Sequence, residues 1–564
     1  MNRWKRTLLA VSLLALMLAT ACGTGTDAGN GQTNEGQPQT AEPAPTDAAG
    51  ASADAPAAED GPLTKFDPPI TVRSAINDNG KDFLSPGDTL ESNVWLKGYE
   101  NELGIKVQYD WIVERANAGN KMNATLASGD LPDIFAVNHS QYKQLLDAGK
   151  IADLTEAYEK YGSDLLKEFY NAGGDGLKPV KQDGKLYGLT DYSGTIDAAG
   201  MMYIRTDWMK KLNLQAPKTM EDVIAIAKAF TEGDPDGNGQ KDTFGLQLNK
   251  DLDSGWTIKM NGFANMFHAH PGIWIKDESG KLVYGSVQPE MKQVLAALQE
   301  LYKAGVIDQE FGTKDVAKAS ETIMSGKSGM FFGPLASPFA INAMMADANI
   351  DWAAYPIPSA DDQPAKVNSQ ILNATVFVVR SDFKHPEALV KMMNFAVEKL
   401  YGASAETEAE TYLGPSGQGF HVAPVKILKP NKNLGIYQNV SAALAAQDPS
   451  SLNREEKSYY DFIQKYRSGE RAQWVYERIF GPESSIAVVE HYVDNGLLML
   501  NEFSAPPTAT MATKKATLDK LELETFTKII YGESSVDEFD KFVENWNKLG
   551  GQQITEEVNQ ASNS

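Results

Sequence analysis

From Ile70 onward the chain alternates short, nearly continuous apolar runs with longer stretches in which apolar residues recur every three or four positions. The runs KVQYDWIV (106–113), PDIFAV (132–137), MMYI (201–204), SGMFFG (328–333) and TVFVV (375–379) are bounded by turn-forming residues, and each predicts a buried strand. The stretches between them predict amphipathic helices. In KTMEDVIAIAKAF, Thr219 and Asp222 form a capping pair, and Val223, Ile226, Ala227 and Phe230 fall on one face. In QPEMKQVLAALQELYKAG, Pro289 suits the start of a helix whose stripe is Met291, Leu295, Leu298 and Tyr302. HPEALVKMMNFA repeats that start with Pro386, and Leu389, Met392, Met393 and Ala396 line its face. Strand and helix alternating over hundreds of residues predict α/β layers, with no internal repeat of solenoid length.

The pattern is different before residue 65. MNRWKRTLLAVSLLALMLATAC has a basic start, an apolar core from Leu8 to Leu18 and small residues before Cys22, so residues 1–21 read as an export signal. The apolar core is too short for a membrane span. Cys22, the single cysteine, stands where a lipoprotein signal is cleaved and the thiol acylated, although Ala19 occupies the position where Leu is usual. Residues 22–64 are rich in Gly, Ala, Pro, Thr and acids and hold no aromatic residue before Lys65, which predicts a disordered acidic linker carrying a lipid anchor.

Charge narrows the partners. The formal net charge of −23 becomes −26 once the first 21 residues, with Arg3, Lys5 and Arg6 and no acid, are set aside. Such a surface disfavours nucleic acid and anionic lipid surfaces as partners. With one cysteine there is no internal disulfide, so the core must supply the stability.

One loop carries metal-binding chemistry. DPDGNGQKDTFGL places Asp234, Asp236, Asn238, Gln240 and Asp242 at alternate positions, with Gly239 sixth, which is the spacing of a calcium loop. The twelfth position, where such loops carry a bidentate Glu, is Gly245, so Asp242 or Thr243 must complete the shell. The expected cofactor is a structural Ca2+ clamping a long loop between a helix and a strand beginning at FGL. A polar turn without metal is the alternative.

Catalytic signatures do not accumulate. His268 and His270 lack further ligands at zinc spacing, SGKSG (325–329) has Glu321 where a phosphate loop needs Gly, and GPSGQG (414–419) is no nucleophile elbow. Aromatic residues in turn-like contexts, flanked by hydrogen-bonding groups, suit sugar rings instead. Asp191, Tyr192, Trp256, Phe332, Asn138 and Trp274 are the candidate ligand-binding residues, although Trp274 also reads as a hairpin residue.

Several phrases, in one order, resemble a known family: ASGDLPDIF (127–135), DAGKIADLTEAYEKY (147–161), MYIRTDWMKKLNLQAPKTMEDV (202–223), the DPDGNGQKDTFGL loop, SGKSGMFFGP (325–334) and VVRSDFKHPEALVKMMN (378–394). The chain resembles the extracellular solute-binding lipoproteins of bacterial ABC importers, in the branch of oligosaccharide and alginate binders. The resemblance implies a two-lobed, type II periplasmic-binding-protein-like α/β fold, with 65–195 plus 372–438 as the first lobe and 196–371 plus 439–564 as the second. Hinge crossings are expected near 191–200, 368–376 and 435–442. It further implies an oligosaccharide ligand, ABC permease transmembrane subunits as partners, a monomer, no enzyme activity, and attachment through Cys22 to the outer face of the cytoplasmic membrane. A secreted polysaccharide-degrading enzyme, a sugar-sensing receptor and a dockerin-like scaffold are the alternatives, the last weakened because only one such loop occurs.

Overall fold

The computed structural model describes residues 60–562, apart from 81–82, 173–174, 193–194, 254, 371–374, 415–417 and the side chain of residue 116. The expected signal, Cys22 and the linker up to residue 59 lie outside the described residues. The described residues belong to one compact unit.

Among the strands of the described residues, eight position the site: β1 (Ile70–Asp78), β2 (Ile105–Glu114), β3 (Ile134–Val137), β4 (Leu189–Thr190), β5 (Met201–Arg205), β6 (Met330–Gly333), β7 (Trp352–Tyr355) and β8 (Val376–Val379). β1 and β2 pair in parallel with a register shift at Ser74/Ala75. β8 runs antiparallel between β3 and β4, and β5 runs antiparallel between β6 and β7. In β5, β6 and β8 every residue is buried, as expected of a central layer covered on both faces.

Two hydrophobic cores divide the chain. One gathers residues between Val72 and Tyr192 and between Val376 and Ile427. The other gathers residues between Ile196 and Val367 and between Ile436 and Val558. The backbone passes from one core to the other between Tyr192 and Ile196, between Val367 and Val376, and between Ile427 and Ile436. The last passage lies earlier than the expected 435–442, because Ile436 and Tyr437 already pack in the second core.

Helices follow the apolar period closely where one face is buried. The helix Met220–Glu232 has the Thr219–Asp222 capping box and buries Val223, Ile226, Ala227 and Phe230. The helix Glu387–Tyr401 differs from its predicted stripe: Ala388, Val390, Lys391, Asn394 and Lys399 are buried along with Leu389, Met392, Met393 and Ala396. It is a central helix, and its lysines stay inside because carboxylates meet them: Lys391 Nζ reaches Asp60 at 3.0 Å, and Lys399 Nζ reaches Glu102 at 2.9 Å and Glu408 at 2.8 Å.

That helix corrects the end of the linker. Residues 60–64 dock against the first core: Lys391 also donates to the Thr64 carbonyl at 2.8 Å, Asn394 Nδ2 to the Pro62 carbonyl at 3.0 Å, and the Tyr161 hydroxyl to Asp60. Five residues assigned to the linker by sequence, 60–64, therefore belong to the packed body. A second difference is FGL, which forms no strand. Phe244 and Leu246 make only single bridges, to Ser328 and Ile307.

Candidate functional site

The strands bring polar groups to one edge of the first core. Val137, Val376 and Thr190 are register partners across β3, β8 and β4, so Asn138, Thr375 and Asp191 follow at the same end. Asp191 and Thr375 lock together: the Asp191 N–H donates to the Thr375 carbonyl at 3.1 Å, and the Thr375 N–H to Asp191 Oδ1 at 2.9 Å. Burial raises the Asp191 carboxyl above its ordinary range. The carboxyl ends of β1 and β2 are also paired, Asp78 with Glu114, and deliver Asn79 and Arg115. Asn79 Nδ2 donates to the His421 carbonyl at 3.1 Å, and Lys426 Nζ lies 3.4 Å from His421 Nδ1. Asp191 and Arg115 both act electrostatically on Lys426, which joins the two strand edges into one polar rim. In open α/β sheets the carboxyl ends of strands are where ligands bind.

The second core presents a matching edge. Met201 pairs with Gly333 and Met202 with Tyr355, so the start of β5, where the chain arrives from the first core, lies beside the carboxyl ends of β6 and β7. Thr257 donates to Ser337 at 2.8 Å and the Lys259 N–H to the Phe332 carbonyl at 2.9 Å, which holds the 256–260 segment at this end. Trp256 is 49 % exposed there. Three residues before it, Asp253 is a buried carboxyl pushed up to about 6 by desolvation, with Oδ1 unpartnered among the described residues.

The ligand-binding candidates therefore separate. Asp191, Asn138 and Trp256 stand at the two edges. Asn138 is exposed but caps the following helix in a capping box with Gln141, so its side chain is partly committed. Tyr192 is corrected to a core residue: it is fully buried, donates to the Ala172 carbonyl at 2.6 Å, and Gly176 covers its ring so closely that a Cβ there would lie 2.7 Å from it. Phe332 is likewise fully buried, with Gly262 against its ring. Trp274 is 6 % exposed and packs on Tyr284 and Phe503 within the hairpin its sequence predicts. Neither ring face of these three is free for a sugar in this conformation. Residue patterns missed Arg115, His421, Lys426 and Asp253, because none belongs to a spacing motif, and Arg115 and Asp191 reach Lys426 only through the fold.

The cation loop lies at the other end of the second sheet. The Phe244 N–H donates to the Lys327 carbonyl at 2.7 Å, just ahead of Met330, which pairs with Ile204 at the far end of β5. Asn238 Nδ2 lies 2.8 Å from Asp236 Oδ2 and 3.1 Å from Asp242 Oδ1. The Lys327 ammonium bridges Asp242 and, at 3.7 Å, Asp236. Lys327 holds the Asp242 carboxyl below its ordinary value. Asp234 instead accepts the N–H groups of Asn238 and Gly239 at 3.0 and 3.1 Å. Asn238 Oδ1 accepts the Gln240 N–H at 2.6 Å. Thr243 is corrected: its hydroxyl is buried and donates to the Phe230 carbonyl at 2.7 Å, so it is no ligand here. Among the described residues no three His, Cys, Asp or Glu side chains gather as a metal site. A hard cation nevertheless suits the donors, since Asp236 and Asp242 already converge around the Lys327 charge, with Asn238 between them. A metal would need Lys327 to leave and Asn238 to turn its amide oxygen inward.

His268 and His270 do not act together. His268 Nε2 faces Asp361 at 3.0 Å, whereas His270 Nδ1 faces the buried Asn368 at 2.8 Å. Among the described residues no helix is long and apolar enough to cross a membrane.

Two α/β cores joined by three passages, with polar strand edges beside those passages, define a two-lobed binding protein of type II architecture. The chain belongs to the bacterial extracellular solute-binding protein family, which it matches over residues 82–399. It is 25 % identical over 491 residues to the lipoprotein LipO of Bacillus subtilis, covering 84 % of this chain and 90 % of LipO. It is 24 % identical over 469 residues to the polygalacturonan/rhamnogalacturonan-binding protein YtcQ of the same organism, covering 83 % and 87 %. The fold matches the substrate-binding protein FusA of Streptococcus pneumoniae in complex with kestose, with a TM-score of 0.60 at 17 % identity over 88 % of this chain and 99 % of FusA. FusA has also been solved as an EF-hand mutant.

Proposed function

We propose that the protein captures an oligosaccharide between its lobes and delivers it to the transmembrane subunits of an ABC importer, acting as a monomer anchored through a lipid on Cys22. The observation that carries this reading is that each core brings groups suited to a sugar to the end of its sheet beside the passages: Asn138, Asp191 and Thr375 on the first, and on the second the half-exposed Trp256, next to the buried Thr257–Ser337 hydrogen bond. Sugar-binding relatives that match over most of both chains support it. A ligand touching both edges gains its full contact only when the lobes close, so binding shifts the open–closed equilibrium toward a shape a permease can recognise. Trp256 offers an apolar ring face to sugar C–H groups, while Asn138 and Asp191 offer hydrogen-bond partners to hydroxyls. An anchored tether of about 40 residues would keep the binder near its transporter at high effective concentration.

Calcium belongs to the same proposal. Asp236, Asn238 and Asp242, with Asp234 and the Gln240 backbone beside them, would hold it, and its contribution is charge compensation that fixes the loop. The loop lies away from the strand edges of the site, so the role is structural.

Titration calorimetry of the protein with a panel of oligosaccharides, followed by chromatography of each mixture, tests the reading. Saturable binding with intact sugar is expected. Cleaved sugar would replace the receptor with an enzyme.

A further inference from the structure

Lys426 stands apart from the other buried lysines. Lys391, Lys399 and Lys432 each meet a carboxylate within 3.0 Å. Lys259 makes no ion pair among the described residues, but it faces the buried Asp253. Lys426 is also largely buried and makes no ion pair among the described residues; its one hydrogen-bonding neighbour is the His421 ring, 3.4 Å away. Asp191 is the one carboxylate whose charge reaches it, and that carboxylate is already tied to the Thr375 N–H. Arg115, exposed at the carboxyl end of β2, adds a second positive charge that acts on both His421 and Lys426.

His421 cannot relieve this excess by accepting a charge itself. Its ring is flanked by Phe83 and Phe420, with centroids 4.8 and 4.5 Å away, and burial together with the two cations pushes it down to about 4. It stays neutral at physiological pH, with Nδ1 turned to the Lys426 ammonium. In a chain with a net charge of −23, this rim therefore concentrates uncompensated positive charge at the strand edge proposed to meet the ligand. A buried cation without a partner is costly, and a ligand anion that desolvates with it recovers that cost.

We propose that Lys426 and Arg115 form a carboxylate-binding subsite on the first lobe, and that the oligosaccharide captured there is an acidic one built from uronic acid residues. The assignment rests on the sugar-receptor reading above and names its substrate class. Lys426 supplies a fixed, desolvated charge, and Arg115 supplies a planar fork that pairs with a carboxylate from the solvent side. Asp191, already tied to the Thr375 N–H, offsets the Lys426 charge only in part.

Calorimetric titration with trigalacturonate, and with the neutral trisaccharides maltotriose and kestose, tests it on the wild-type protein and on Lys426→Met and Arg115→Ala. Thermal melts verify that each variant is folded, and the exposed Arg115 keeps the test informative if Lys426→Met does not fold. Trigalacturonate is expected to bind at least about tenfold more tightly than either neutral sugar, to lose at least about tenfold in each folded variant, and to weaken as salt rises from about 0.05 to 0.5 M. Binding of neutral sugars alone, or trigalacturonate binding that both variants leave intact, would overturn the subsite while leaving the receptor reading in place. If neither kind of sugar binds, the receptor reading itself falls, and this assignment with it.

Discussion

Gly245 has no room for a methyl group: a Cβ there would lie 2.0 Å from the Ala227 carbonyl oxygen. Because that neighbour is helix backbone, it cannot move aside cheaply, and Gly245→Ala is expected to destabilise the protein by about 1–3 kcal/mol or more in chemical denaturation. Sequence spacing marked Gly245 only as the wrong residue for a calcium loop, and tertiary packing supplies the reason it is glycine. Asp197 gives a pH signature. It lies one residue past the first passage between the cores, accepts a hydrogen bond from Asn433 on the third at 2.7 Å, and burial pushes it up to about 6. The folded state therefore holds this proton to higher pH than the unfolded chain does, so stability falls as pH rises from about 4 to about 6 and then levels off. Asp197→Asn keeps an acceptor for Asn433 and should raise stability above pH 6 by about 1–3 kcal/mol, with the advantage vanishing below pH 4. Melts across pH check it, and an advantage that persisted at pH 3 would contradict the assignment. Trp256, half exposed, should behave oppositely to a core residue. Trp256→Ala is expected to weaken oligosaccharide binding about tenfold while changing stability by less than about 0.5 kcal/mol.

The cation loop is the element in which chemistry was most legible from sequence and geometry least. Alternate oxygen-bearing residues pick out the loop, and the glycines at 237 and 239, both at φ +75°, let it turn. What the pattern could not supply is Lys327, 85 residues away from Asp242, which brings a positive charge to the place a metal would take. Lys327→Met should lower the calcium-free melting temperature and enlarge the stabilisation produced by added calcium relative to wild type, by about 1 kcal/mol. An identical calcium response in both proteins would show that ion and ammonium do not compete. Segment 60–64 makes the same point in a plainer form. Its composition is that of a linker, yet Asp60 meets a lysine that is only 3 % exposed. Starting the protein at residue 65 is expected to cost about 1–2 kcal/mol, since the half-exposed Asp60 makes the pair weaker than a fully buried one. Equal melting temperatures for proteins starting at 60 and at 65 would remove the segment from the fold.

For the whole molecule the expectation is closure. Two cores joined by three passages can rotate about those passages without disturbing either interior, because the buried contacts are made within each core. Saturating oligosaccharide should reduce the radius of gyration measured by small-angle X-ray scattering and raise the melting temperature in proportion to the logarithm of ligand concentration. A ligand that raised the melting temperature without any change in scattering would indicate a binder that is already closed.

Taken alone, the sequence determined the α/β class, the strands of the central layers, the capping of the Met220–Glu232 helix and the oxygen-rich spacing of the 234–242 loop. Each of these depends on local period, capping or spacing, which neighbouring residues encode. The tertiary structure decided which aromatic rings were left free. Tyr192, Phe332 and Trp274 have the same residue chemistry as Trp256, but distant glycines and rings cover them. It also decided which polar residues share an edge: Arg115, Asp191, His421 and Lys426 span more than 300 positions and meet only because strands from separate parts of the chain end at the same place.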